Sequence, residues 1–150
     1  MTLDIDPLEP VVTIVVDVAN VMGARADGWW RDRAGAAARL CREISALADR
    51  GIPPGRMPAP VSEAEEAPER CFPAYVLVLE GRSREAAAEI SPSPRIQVIQ
   101  APAAGDDAIV RVAASLGRGC VVVTADRELR RRCEAAGASV TGPGWIIGLL

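Results

Sequence analysis

The sequence predicts a three-layer α/β domain around a mostly parallel sheet of four to five strands, and three observations support this. Segments typical of strands alternate with segments typical of helices, as in parallel sheets. The first, residues 11–16, is an unbroken β-branched run, as expected for a strand buried on both faces. A length of 150 residues with 49% hydrophobic residues suffices for a single domain, residues 1–150, with a substantial core.

The first long helix is predicted over residues 34–50, after a glycine-bearing turn that ends near Gly28. Leu40, Ile44 and Leu47 recur there at helical spacing, with charged residues on the opposite face. A glycine and two prolines directly after this segment end the helix and prevent its continuation.

Residues 51–73 are predicted to form an exposed loop, because they contain several prolines and the acidic run 63–66. A loop of this length in a small domain is often functional or mobile. Its acidic side chains also argue against a broad surface for binding nucleic acid.

The second half of the chain contains the remaining elements. The predicted strands are residues 75–79, 96–99, 120–124 and a short fifth segment, 139–141. The predicted helices are residues 83–90, 106–116 and 127–136, and an apolar tail follows Pro143. In the common doubly wound order, the first and fourth strands are neighbours at the point where strand order reverses, which is where such sheets bind ligands.

Composition excludes several classes of site. The chain has no histidine, and its four cysteines form no C-x-x-C pair, so typical zinc sites and histidine-based catalysis are excluded. The formal net charge of −3 gives no overall attraction to nucleic acid. The N-terminus lacks the pattern of a signal peptide and no apolar run is long enough to span a membrane, so a cytoplasmic protein with no membrane partner is expected.

Acidic residues follow three of the predicted strands. Asp17 ends the first strand, Asp106 and Asp107 begin the helix after the third, and Asp126 follows the fourth. Singly, these positions have ordinary explanations, because Asp is a common N-cap and a favourable first-turn residue. Asp17 is the exception, since no helix is predicted for it to cap. Glu80 also ends a strand, but the glycine after it favours a turn.

Four carboxylates at one edge of a sheet cannot all remain ionised without a cation, because like charges raise one another's pKa. Mg²⁺ accepts carboxylate oxygens and phosphate oxygens, and its chemistry requires no histidine. Asn20 is either a turn residue or a group that contacts phosphate or orients a ligand, and Thr124 offers a hydroxyl beside Asp126.

Three segments also resemble a known family. Residues 15–20 (VVDVAN), 105–110 (GDDAIV) and 121–129 (VVVTADREL) are similar to the signature blocks of NYN domains, in the same order. NYN domains belong to the PIN-like superfamily of metal-dependent ribonucleases with a Rossmann-like fold, and the bacterial YacP-like branch is the most similar. The resemblance covers residues 11–142.

The resemblance implies a hydrolase that cleaves phosphodiester bonds of single-stranded RNA. It implies that the four aspartates hold Mg²⁺ or Mn²⁺ and that the side-chain amide of Asn20 supports the site. The implied catalytic residues are Asp17, Asn20, Asp106, Asp107 and Asp126.

Two departures from the family pattern leave alternatives open. Val18 replaces the usual glycine after the first aspartate, and Arg130 stands where some members carry another acid. One alternative is therefore a PIN-like module of weak or no activity that binds RNA or protein. The other is a small nucleotide phosphohydrolase, which would need no broad basic surface.

Substrate contacts are predicted mainly near the first and fourth strands. Arginines and two tryptophans lie together in residues 25–33, and such side chains stack on unpaired bases and contact phosphates. At least one of these indoles is expected to pack on the following helix instead. The predicted substrate-binding residues are Asn20, Arg25, Trp29, Arg31, Thr124 and Arg127. Whether the protein is a monomer or a homodimer is left open.

Overall fold

The sheet has five parallel strands in the order β3-β2-β1-β4-β5, which places the first strand at its centre. The computed structural model describes residues 12–58, 70–91 and 93–150. The strands are β1 (Thr13–Asp17), β2 (Ala74–Leu79), β3 (Ile96–Gln100), β4 (Cys120–Val123) and β5 (Ser139–Thr141). This is the predicted doubly wound order, and β1 and β4 are neighbours as expected.

Helices cover both faces of the sheet. They are α1 (Val18–Gly23), α2 (Arg33–Arg50), α3 (Asp106–Leu116), α4 (Arg127–Ala135) and α5 (Pro143–Ile147), with 3₁₀ helices at Trp29–Arg31, Gly81–Glu89 and Gly117–Gly119. Alternate residues of β1 point to opposite faces: Ile14 and Val16 pack with α1, α2 and α5, and Val15 packs with α3 and α4. The three-layer α/β fold class is confirmed.

Strand register brings three strand ends to one level. Asp17 pairs with Val78 of β2, and Val16 pairs with Val123, the last residue of β4. The residues that follow β1, β2 and β4 therefore emerge along the same edge of the sheet. This edge carries the candidate site.

Two short helices were not expected from the sequence. Helix α1 begins directly after β1, where only a turn was predicted, and it buries Val18, Val21 and Met22 in the core. Helix α5 forms within the predicted apolar tail and buries Ile146. Both helices are too short for periodicity to reveal them, and tertiary packing stabilises them.

The predicted exposed loop is only partly described, and there the prediction is wrong for several residues. Ile52 is fully buried and forms an antiparallel bridge with Cys71, while Met57 is also buried in the core. The apolar side chains outweigh the prolines locally, because burying them removes apolar surface from water. Residues 59–69, which include the whole acidic run 63–66, lie outside the described residues.

Across the parts of the chain that the structure describes, every helix is too short or too polar to pass through a membrane.

Candidate active site

Asp17 is the innermost group of the site. It ends the central strand with only 9% of its surface exposed. One carboxylate oxygen, Oδ1, accepts the backbone N–H of Asn20 at 3.3 Å, and Oδ2 accepts the Thr124 hydroxyl at 3.0 Å. Asp17 is therefore the N-cap of α1, a role that was missed because that helix was not predicted.

The environment of Asp17 opposes its ionisation. The pKa of the carboxyl is raised from 3.8 to about 6, chiefly by burial and also by the nearby carboxylates of Glu80 and Asp106, although the two hydrogen bonds lower it. Within the described residues, Asp17 forms no ion pair with an arginine. A buried carboxylate with acidic neighbours and no positive partner is costly, and a cation would relieve that cost.

Thr124 connects the ends of β1 and β4. Its side chain is fully buried, and its hydroxyl donates to Asp17 and accepts the backbone N–H of Asp126 at 3.2 Å. Because the hydroxyl lies below the surface and already has two partners, the structure gives Thr124 a positioning role, and its contact with substrate stays a prediction. Its role is to hold Asp17 and the start of the next loop in place.

Asn20 makes a second connection between the same two strand ends. Its side-chain oxygen, Oδ1, accepts the backbone N–H of Ala125 at 2.8 Å, which fixes the loop that leads to Asp126. Asp126 is exposed, and its Oδ1 accepts the N–H of Leu129 at 3.1 Å as the N-cap of α4. Asn20 thus fits the predicted supporting role, while contact with substrate stays a prediction.

The two aspartates that begin α3 have different surroundings. The pKa of Asp106 is raised by burial and then by the charges of Asp126 and Glu80, which shows that this carboxylate lies among the acidic groups. Asp107 is 79% exposed and forms an ion pair with Arg132, with 2.9 Å between Nη2 and Oδ1. Asp106 therefore lies near other acidic groups, while Asp107 lies at the surface, and the metal-binding roles of both stay predictions.

Glu80 is the acidic group that the sequence undervalued. It directly follows β2, its carboxylate accepts the backbone N–H of Gly105, and its charge raises the pKa of both Asp17 and Asp106. The glycine after it suggested an ordinary turn. The signal that identifies Glu80 is its position at the end of a strand that pairs with β1.

The acidic residues at this edge offer the type of ligand atom that a hard divalent cation prefers. All candidate donors are carboxylate oxygens, which Mg²⁺ and Mn²⁺ prefer. Within the described residues, no group of three or more acidic or cysteine side chains is arranged to hold a metal ion. Mg²⁺ does not need such a group, since it usually takes one or two carboxylates directly and keeps several water ligands.

Two of the predicted substrate contacts have structural partners instead. The Arg25 guanidinium is bound by both carboxylate oxygens of Glu43 at 2.8 Å, so it joins the segment after α1 to α2. Trp29 is partly buried and packs against the core, whereas Trp30 is the exposed indole at 57%. One of the two indoles packs against the core, as predicted. This indole is Trp29, which was also the predicted substrate contact.

Arg31 and Arg127 stay candidates for substrate contact. Both are exposed, and neither belongs to an ion pair within the described residues. The Arg31 guanidinium lies 5.9 Å from the centre of the Trp30 ring, and Arg127 is the first residue of α4, next to Asp126.

Comparison with solved structures identifies the fold. It is similar to the crystal structure of a mutant of Rae1 (YacP) from Bacillus subtilis, with a TM-score of 0.61 and 15% sequence identity over 92% of this chain and 74% of that one. The chain therefore has a YacP-like fold. No family model and no curated protein sequence matches the chain.

Proposed function

We propose that this protein is a metal-dependent endoribonuclease that hydrolyses phosphodiester bonds of single-stranded RNA with Mg²⁺ or Mn²⁺. The single observation that carries the proposal is the buried carboxylate of Asp17 at the end of the central strand, with Glu80 and Asp106 beside it and a pKa raised to about 6. The family that the sequence resembles uses this position for metal-dependent RNA cleavage, and the YacP-like fold supports the same assignment.

In this proposal the carboxylates hold the cation and the buried polar residues hold the carboxylates. Asp17, Asp106 and Asp126, with Glu80 beside them, are the groups that would hold the ion. When bound, such an ion supplies a water of lowered pKa and stabilises negative charge on the phosphate oxygens. Thr124 and Asn20 keep Asp17 and the Asp126 loop in a fixed relation through their hydrogen bonds.

The buried position of Val18 bears on the alternative of an inactive module. This side chain replaces the glycine usual in the family, and it is fully buried in the core on the α1 side of the sheet. It therefore does not project over the acidic edge, where it would obstruct a phosphate. The departure gives no steric reason for lost activity.

The proposal is tested by cleavage of a labelled single-stranded RNA in Mn²⁺, Mg²⁺ or EDTA. We expect metal-dependent cleavage by the natural protein and a loss of about 100-fold or more in Asp17→Asn and Asp126→Asn, because several kcal/mol of transition-state stabilisation depend on the ion. Asp49→Asn, an exposed change of the same type on α2, is the matched control.

Three outcomes would contradict the proposal. Cleavage that survives both site substitutions would indicate a contaminating nuclease. RNA binding without cleavage at any metal concentration would favour the inactive module. Release of phosphate from free nucleotides without RNA cleavage would favour the phosphohydrolase.

A further inference from the structure

A groove of about 360 Å³ opens beside the acidic edge, between the 3₁₀ helix after β2 and the loop before α3. Its volume lies within the range of about 300–1,000 Å³ for pockets that hold a drug-sized ligand, the size class of one nucleotide. Ala19 and Met22 of α1 line it, and the small side chains of residues 102–104 form part of its wall. Glu80 also lines it, so the groove is continuous with the carboxylate site.

Three arginines line this groove, so its charge is positive although the neighbouring edge of the sheet is acidic. They are Arg33, Arg82 and Arg84. All are exposed, and none forms an ion pair with another of the described residues. Guanidinium groups contact phosphate oxygens through paired hydrogen bonds, so unpaired arginines in a groove are suited to an anionic chain.

Two of the three arginines are held by local contacts. The Arg33 guanidinium lies 5.3 Å from the centre of the partly buried Trp29 ring, and Arg84 Nε donates to the carbonyl of Gly81 at 3.1 Å. Such contacts reduce the entropy lost on binding.

The segment that carries Arg82 and Arg84 is joined rigidly to Glu80. The buried Ser83 hydroxyl accepts the Glu80 N–H at 3.1 Å and donates to the Glu80 carbonyl. Gly81 adopts a left-handed φ of +54° that completes the turn. Glu80, which lines the groove, and two of its three arginines therefore belong to one hydrogen-bonded turn.

We propose that this groove binds the stretch of single-stranded RNA next to the cleaved bond, with Arg33, Arg82 and Arg84 contacting its phosphates. The choice of RNA as occupant rests on the proposed function, and the location rests on the charge and continuity of the groove. The groove supplies the local positive patch that the negative net charge of the chain makes necessary.

Binding without catalysis tests this proposal separately from cleavage. The full chain is titrated in EDTA with a fluorescently labelled single-stranded oligonucleotide, and anisotropy is followed over a range of salt concentrations. Each phosphate contact to a single strand contributes about 0.7 to the slope of log affinity against log salt. The Arg33→Ala/Arg82→Ala/Arg84→Ala variant should therefore lose about 2 from this slope and about 100-fold in affinity at 0.1 M salt.

The control is a triple variant with the same change in net charge. Arg42→Ala/Arg111→Ala/Arg118→Ala removes three exposed arginines that do not line the groove. The double variant Arg82→Ala/Arg84→Ala leaves the packing of Trp29 intact and should lose about 1.4 from the slope. Equal losses in the groove and control variants would overturn the proposal, because they would show that only net charge matters.

The two proposals fail in different ways. If the groove variants bind and cleave RNA like the natural protein, the groove assignment is wrong and the nuclease assignment stands. If the natural protein binds RNA through the groove but never cleaves it, the nuclease assignment is wrong and the groove stands. Binding of mononucleotides with the same arginine dependence, and none of RNA, would overturn the groove proposal.

Discussion

The acidic centre and the arginine groove share one edge of the sheet but are built differently. In the centre, Asp17 and Thr124 are buried, and each polar group has a hydrogen-bond partner supplied by a neighbouring strand end. In the groove, Arg82 and Arg84 are exposed on a single turn of 3₁₀ helix. The centre thus depends on strand order, whereas the groove depends mainly on local chain geometry.

This difference predicts different responses to substitution. Changes in the centre should affect the chemical step and stability together, because the same hydrogen bonds fix the carboxylates and join the strands. Changes at Arg82 and Arg84 should affect affinity alone, because neither forms an ion pair with another described residue.

The largest expected difference is between the adjacent residues Asp106 and Asp107. Asp106→Asn should lower metal-dependent RNA cleavage by about 100-fold or more, because its carboxylate lies among the acidic groups. Asp107→Asn should change the rate by less than about threefold, since that side chain is exposed and bound to Arg132. Equal losses in steady-state cleavage would show that both carboxylates belong to the centre.

Removing the charge of Asp17 should change how stability depends on pH. The folded state raises the pKa of Asp17 from 3.8 to about 6, so it binds this proton more tightly than the unfolded state does. The resulting stabilisation is present below about pH 4 and is lost as the pH rises to about 6. Relative to the natural protein, Asp17→Asn should therefore gain up to about 3 kcal/mol in unfolding free energy between pH 4 and pH 8.

Urea unfolding in EDTA measures this gain without the effect of bound metal. Asp49→Asn, whose carboxyl is exposed on α2, should show no comparable change between the two pH values. If the difference in unfolding free energy between the natural protein and Asp17→Asn were the same at pH 4 and pH 8, the raised pKa of Asp17 would be contradicted.

Thr124 tests whether the buried connection serves catalysis. Thr124→Val keeps the β-branched shape but removes the hydroxyl, so it should lower the unfolding free energy by about 1–3 kcal/mol and the cleavage rate about 10- to 100-fold. The lost hydrogen bond normally lowers the pKa of Asp17, so the acid limb of the pH–rate profile should move to higher pH. Thr124→Ser should restore the profile, and a stability loss without this shift would indicate a purely structural role.

The smallest expected effect separates Arg25 from Arg31. Arg25→Ala should cost no more than about 1 kcal/mol in unfolding free energy and leave RNA affinity unchanged, because its guanidinium is bound to Glu43. Arg31→Ala should weaken RNA binding in EDTA without lowering the melting temperature. A loss of affinity in Arg25→Ala would restore its predicted contact with substrate.

Local patterns were sufficient for most of the fold. The apolar β-branched run predicted β1, and the long helix was predicted to begin at residue 34, one residue after its observed start at Arg33. Strand spacing and the doubly wound order predicted that the first and fourth strands are neighbours. These predictions succeed because the signals are periodic and because parallel strands connect in few ways.

The sequence by itself determined that acidic residues would meet at the carboxyl ends of parallel strands, because chain order and strand burial fix that edge. Only the tertiary structure decided which side chains belong there. It paired Asp107 with Arg132, bound Glu80 to the backbone of Gly105, buried Thr124 and paired Arg25 with Glu43. These side-chain contacts depend on rotamers and on partners that are distant in sequence, so no local sequence pattern predicts them.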